Sequence, residues 1–449
     1  MTSDLLRLVT LQDSATRIVL LGTVLLGVAC GVVGTFALLR RRALVGDAVA
    51  HAALPGVALA FLIVGDRSFP VLLAGAAATG LLAAATISTV RTWTRIRDDA
   101  ITAIVIGGFF GVGTVLSRLA QTRGGGDRAG LDTFIFGKAA TMSRTDSLTI
   151  AAVTASVLIA TSMLAKELKL LCFDEDFAGA QGWPTRALDL LLMGLICLCV
   201  VVALPAVGVI LAVALLVIPP AAARFWSDRL GVVTTLAAVF GAASGIIGTA
   251  FSAVVPTPAF ASMRGWPTGP IITLTASGFF VVSLLAAPSR GIIPSRLRAV
   301  GVRRRIGVDH LLRAAYESLE SRGDLLAPID RASIERARRW RAGELELALR
   351  RSRRLGLLHP AELRLTDRGA TLADAAATRH RLWEHYLVQR AGIAPDHVDR
   401  DADAVEHLLS DDQMRRLHDR LRTGSGDPPI PSAHPLPPPS EPGRERGDQ

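Results

Sequence analysis

The sequence predicts an all-α polytopic membrane protein with about nine transmembrane helices, followed by a small soluble module that opens as a winged helix-turn-helix and ends in longer helices. Three observations carry that fold class. Roughly the first 290 residues consist of long uncharged apolar runs, whereas the last 160 or so are dense in Arg, Asp, Glu and His. Eight of the nine histidines lie beyond residue 300. The two regions therefore face different solvents.

The run at 18–39 holds no charged side chain. At about 1.5 Å per helical residue it spans a hydrocarbon core of about 30 Å. A second run at 43–64 is interrupted by Asp47 and His51, and runs at 69–90, 100–117 and 147–165 follow. The stretch 190–223 is too long for one crossing, and Pro205 with Gly208 places a break in it. Runs at 230–263 and 265–289 complete the set. The first run ends in Arg40, Arg41 and Arg42 with no small-residue cleavage site, so a retained N-terminus is expected. These arginines, Arg91, Arg95 and Arg97, and the arginine-rich tail fall on one side of alternating spans. The positive-inside bias makes that side the cytoplasm.

A net charge of +10 fits a cytoplasmic surface against anionic lipid and requires no nucleic acid. Four cysteines without a CxxC pair argue for neither disulfides nor zinc. None of the three lysines, Lys138, Lys166 and Lys169, lies in a GxxxxGK[ST] loop, so the chain is no ATPase. The polar segment KELKLLCFDEDFAGAQGWPTRA at 166–187 separates two spans, and 174–182 reads as one short helix stopped by Gly182. It is either a docking surface for a separate ATPase or a solvated loop.

Ionisable groups inside a span cost a few kcal/mol and call for a reason. Asp47 and His51, four residues apart, share one helix face and can converge on one ion. A carboxylate with a neutral imidazole suits manganese, iron or zinc. The other reading places Asp47 at the interface beside Arg41 and Arg42, with His51 hydrogen-bonded in the bundle.

LLRRRALVGDAVAHAALPGVALAF at 38–61 resembles the signature of the bacterial manganese, zinc and iron permeases of ABC importers. FDEDFAGAQG at 173–182 resembles their ATPase-coupling loop, and VGVILAVALLVIPPAAA at 207–223 a further block, in the same order. The resemblance implies that Asp47 and His51 contact the metal in its path and that Phe173, Asp174, Ala178 and Gly182 belong to ATPase coupling. It also implies an ABC ATPase subunit, an extracytoplasmic metal-binding protein and a second permease subunit, self or sister. The location implied is the bacterial cytoplasmic membrane.

Beyond residue 300, helices are expected at 310–321, 333–340 and 343–355, then a small β-wing in GLLHPAELRLTDRG. Longer helices are expected at 371–391 and 400–421, and a Pro-rich disordered tail after them. His380 and Glu384 share a face at a spacing of four, and Asp403, Glu406 and His407 share another at three and four. Such pairs are either ligand sets or the incidental charges of an amphipathic helix.

RHRLWEHYLVQRAGIAPDHVDRDADAVEHLLSDD at 379–412 resembles the metal-binding and dimerisation helices of the iron- and manganese-dependent repressors of the diphtheria-toxin-repressor type. Carried across, His380, Glu384 and Asp399 match one metal site, and His310, Asp403, Glu406 and His407 the other. Asp399 stands where histidine is common there, Asp403 where cysteine or glutamate is usual, and His310 where methionine or aspartate is usual. Without a thiol the set favours harder ions such as Mn²⁺ over Zn²⁺, with Fe²⁺ also possible.

The expected domains are a permease at 1–292, a winged-helix-like domain at 300–371, a helical metal-binding and dimerisation domain at 372–423 and the tail at 424–449. The expected function is an importer permease with a cytoplasmic metal-sensing module. The alternative is a membrane-anchored, metal-dependent transcription regulator, which Glu344 and Glu346 oppose by standing where a recognition helix would meet phosphates.

Overall fold

The structure is a computed structural model and describes residues 14–65, 68–123, 144–255, 266–320, 322–338, 340 and 343–391. The chain divides into two compact units, Met1–Ser295 and Arg296–Gln449.

The first unit is a helical bundle. Its elements are α1 (Ser14–Leu39), α2 (Ala43–Val64), α3 (Phe69–Trp93), α4 (Asp98–Arg123), α5 (Arg144–Met163), α6 (Ala165–Phe173), α7 (Glu175–Ala180), α8 (Thr185–Arg224), α9 (Leu230–Val254) and α10 (Thr268–Ala286). Eight segments are long and apolar enough to cross a membrane when the two halves of α8 are counted apart. The α5–α6 pair, bent by 65°, makes a ninth if it is one span. The expected break in the long run falls at Gly208, whose φ of 82° and ψ of 168° interrupt α8.

Side chains from α1, α2 and α8 form the centre of the apolar core, including Leu26, Val33, Val49, Ile196, Val200 and Leu215. Helix α1 packs on α9 and α8, and α2 on α3 and α4. The closest approaches use glycine: a Cβ on Gly27 would run into the backbone of Gly241, and one on Gly56 into that of Gly75. In lipid, where apolar burial no longer drives helices together, such contacts supply packing that larger residues would block.

The second unit comprises most of α11 (Ile292–Glu320), with α12 (Arg331–Ala337), α13 (Glu344–Arg354) and α14 (Asp367–Ala391). Leu311, Leu312, Ala315, Ile334, Leu349, Leu365 and Ala377 build its core. Helix α11 starts well before the expected residue 310, and Pro294 is tolerated in its first turn, where a missing N–H costs nothing. The expected β-wing is reduced to a single antiparallel bridge, Leu358 with Leu365, and the described residues contain no strand. The expected helix at 400–421, the Pro-rich tail and Asp399, Asp403, Glu406 and His407 lie outside the described residues.

Candidate functional site

Asp47 and His51 stand one turn apart on α2, with His51 Nε2 3.5 Å from Asp47 Oδ1. Around them Gly46, Ala48, Val49, Ala50, Ala52 and Ala53 are buried. The two polar side chains keep 40% and 34% exposure among these buried neighbours, on an open strip of α2 that also carries the exposed Leu44. Phe110 of α4 meets the imidazole edge-on, with ring centroids 5.4 Å apart. Pro55, four residues past His51, has no N–H, so the His51 carbonyl lacks its usual helical donor. No group of three or more His, Cys, Asp or Glu placed to hold a metal occurs among the described residues.

The segment before α8 folds as the sequence predicts. Asp174 caps α7 by accepting a hydrogen bond from the Phe177 N–H at 2.9 Å, and Gly182 ends the segment at a φ of 85°. Phe173 and Phe177 are exposed while Ala178 is buried. Phe173, the last residue of α6, and Phe177 of the short, capped α7 therefore present an exposed aromatic surface.

A charged cluster that the sequence reading missed joins this segment to the start of α2. Arg40 Nη1 donates to Glu175 Oε2 at 3.0 Å and to the Leu171 carbonyl at 3.2 Å, and Arg40 Nη2 to Asp189 Oδ1 at 3.2 Å. Arg42 Nη2 donates to Asp189 Oδ2 at 2.7 Å, and Arg42 Nη1 lies 3.5 Å from Asp98 Oδ2. Burial pulls the Arg40 guanidinium down, but Glu175 and Asp189 outweigh it and leave it above its ordinary value. The signal available was Asp189 itself, an acid at the edge of an apolar run. Its partners 147 and 149 residues away were not readable from spacing.

In the second unit His380 and Glu384 are both buried on α14, with Nε2 3.3 Å from Oε1. His310 is buried on α11. Arg313, also on α11, donates from Nη1 to His380 Nδ1 at 2.6 Å and lies 3.3 Å from Glu317. A guanidinium only donates, so Nδ1 accepts and a neutral ring carries its proton on Nε2, towards Glu384. The imidazole and carboxylate fit a divalent ion in type and spacing, but Arg313 occupies one of the two ring nitrogens.

A bundle of eight or nine apolar segments with one carboxylate–imidazole pair on α2, in a chain without a phosphate loop, defines a multi-pass membrane permease that hydrolyses no ATP itself. The chain belongs to the ABC 3 transport family, whose model matches residues 12–287. Residues 366–431 match a second model, the iron dependent repressor, metal binding and dimerisation domain. The chain is 37% identical over 394 residues to the manganese transport system membrane protein MntC of Bacillus subtilis (strain 168), covering 87% of this chain and 88% of that protein. That alignment exceeds the first unit's length and therefore runs into the second. The zinc transport system membrane protein TroC of Treponema pallidum (strain Nichols) is 42% identical over 282 residues, covering 63% of this chain and 92% of that protein. Among solved structures, PsaBC from Streptococcus pneumoniae in complex with Fab matches with a TM-score of 0.56 and 30% identity, over 67% of this chain and 99% of that chain.

Proposed function

We propose that the chain is the permease subunit of an ATP-driven importer for a divalent transition metal, with Mn²⁺ the favoured cargo and Fe²⁺ or Zn²⁺ alternatives. The observation that carries this reading is the Asp47–His51 pair, half-open on a face of α2 that its neighbours leave uncovered. Intramembrane charged groups face protein or water, not lipid. That face is therefore covered in the working assembly by a second permease subunit, which completes the ligand shell. A separate ABC ATPase docks on α7 through Phe177, with Phe173 at the adjoining end of α6, and an extracytoplasmic binding protein delivers the ion.

The C-terminal module lies in the cytoplasm and senses metal through His380 and Glu384, together with His310, Asp399, Asp403, Glu406 and His407. Operator binding is the weaker reading. Glu344 and Glu346 occupy the first turn of α13, and Glu346 pairs with Arg331 at 2.8 Å, so the end that would meet phosphates is acidic.

The test is uptake of radioactive manganese by cells that lack their own importer and express the permease with its ATPase and binding protein. Asp47→Asn and His51→Ala should each lower initial uptake at least tenfold, the scale of about 1.4 kcal/mol lost from ion binding. Uptake at the parental rate in both variants, at equal amounts of protein in the membrane, would sink the proposed path.

A further inference from the structure

Arg40, Arg41 and Arg42 form the whole connection between α1 and α2. Arg41 has a φ of 58°, the only positive value among non-glycine residues described. Non-glycine side chains rarely hold this conformation unless their surroundings impose it, and positions of this kind concentrate at switches. Here the surroundings are the two flanking arginines, both anchored on the single carboxylate of Asp189 at the start of α8. The Arg42 side chain is 3% exposed and that of Asp189 9%, so the pair has been taken out of solvent at a desolvation cost that an apolar pair of similar volume would avoid. Arg40 extends the same connection to Glu175 at the first turn of α7 and to the Leu171 carbonyl of α6. In the other direction Asp47 follows Arg42 by five residues on the same chain, one turn into α2. A continuous set of charge-assisted bonds therefore leads from α7 through Arg40, Asp189 and Arg42 to the helix that carries the metal pair.

We propose that Arg40, Arg42 and Asp189 are positioning residues of the transport cycle, a charged clasp that carries movement of α7 to α2 and so resets Asp47 and His51. The proposal rests on the reading of α7 as the ATPase dock. None of the three touches the ion. Their role is to make the rotation or shift of α2 follow the dock, with the bent turn at Arg41 as the point that yields. Glu175 completes the clasp from a half-exposed position, where an ion pair adds little to stability. A merely structural network would lose almost nothing with it, whereas a transmitting one loses its link to the dock.

The deciding experiment uses the complete complex of permease, ATPase and binding protein in proteoliposomes, with Mn²⁺ as the probe, and reads Mn²⁺ imported per ATP hydrolysed. Asp189→Asn and Glu175→Gln should each lower that ratio, by roughly twofold to thirtyfold, while ATP hydrolysis continues. The double variant should be no worse than the more severe single one, because both act through Arg40. An unchanged ratio in Glu175→Gln overturns the clasp, whether or not Asp189→Asn assembles. So does loss of the ATPase from the Glu175→Gln complex, since that makes Glu175 a docking contact. Ala178→Arg tests the dock separately: an ATPase that stays bound and active in that variant refutes docking on α7, irrespective of the ratios.

Discussion

At the scale of single residues, the buried imidazole of His380 is held at both ends. Arg313 donates to Nδ1 at 2.6 Å, and Nε2 faces Glu384 at 3.3 Å. A metal ion needs a ring lone pair, and the only one on a neutral ring in this arrangement is directed at Arg313. Binding therefore requires Arg313 to withdraw, and its positive charge also opposes an incoming cation. Arg313→Met, which keeps much of the length of the side chain and removes its charge and donors, should tighten Mn²⁺ binding to the full chain by about tenfold. The measurement is equilibrium dialysis in detergent, in an Asp47→Asn background that silences the membrane pair, with His380→Ala as the control that loses the site. Unchanged or weaker binding would mean that Arg313 supports the site instead of competing for it.

At the scale of elements, the break in α8 depends on one residue. Gly208, at a φ of 82° and a ψ of 168°, occupies a region of backbone space open almost solely to glycine. Gly208→Ala should destabilise the bundle by about 1–3 kcal/mol. Gly107→Ala on α4, where an added Cβ meets nothing within 4 Å, should be neutral or stabilising by up to about 1 kcal/mol. A thermal melt in detergent separates the two, and equal midpoints would show that the break is not imposed by Gly208. The site of this break was legible beforehand, because a run too long for one crossing with Pro205 and Gly208 inside it has few other places to yield. Helix α7 was legible for a similar local reason: Asp174 as cap and Gly182 as stop act within a few residues. The charged clasp was not. Arg40 and Arg42 announce the side of the membrane in any sequence, and their bond to Asp189 exists only once α1 and α8 pack together. Likewise Asp47 and His51 were legible as a pair from their spacing, but the burial of the residues around them comes from helices elsewhere in the chain. In the second unit Arg313 stood unnoticed three residues from His310, since its approach to His380 depends on α11 meeting α14.

At the scale of the whole molecule, one chain joins a membrane bundle in the ABC 3 transport family to a domain that matches a metal-dependent repressor's metal-binding part. If the ion carried across the membrane is also the ion the second domain binds, the domain reports the product of transport. Linkage makes the effect reciprocal, and the sign follows from the feedback reading: a domain that binds Mn²⁺ more tightly when transport is arrested must, once loaded, favour arrest by the same factor, typically about 5- to 150-fold. In proteoliposomes whose cytoplasmic side is preloaded with Mn²⁺, the parental complex should therefore import more slowly as the preload rises. A chain ending at residue 299 should lose that dependence and keep its rate at zero preload. On the proposed path product also acts directly on Asp47 and His51, so the truncated chain sets the baseline of simple back-binding, and only the difference between the two curves belongs to the C-terminal module. His380→Ala should fall on the truncated curve. Coincidence of the parental and truncated curves at every preload would remove feedback from the module's role and leave dimerisation as its remaining task.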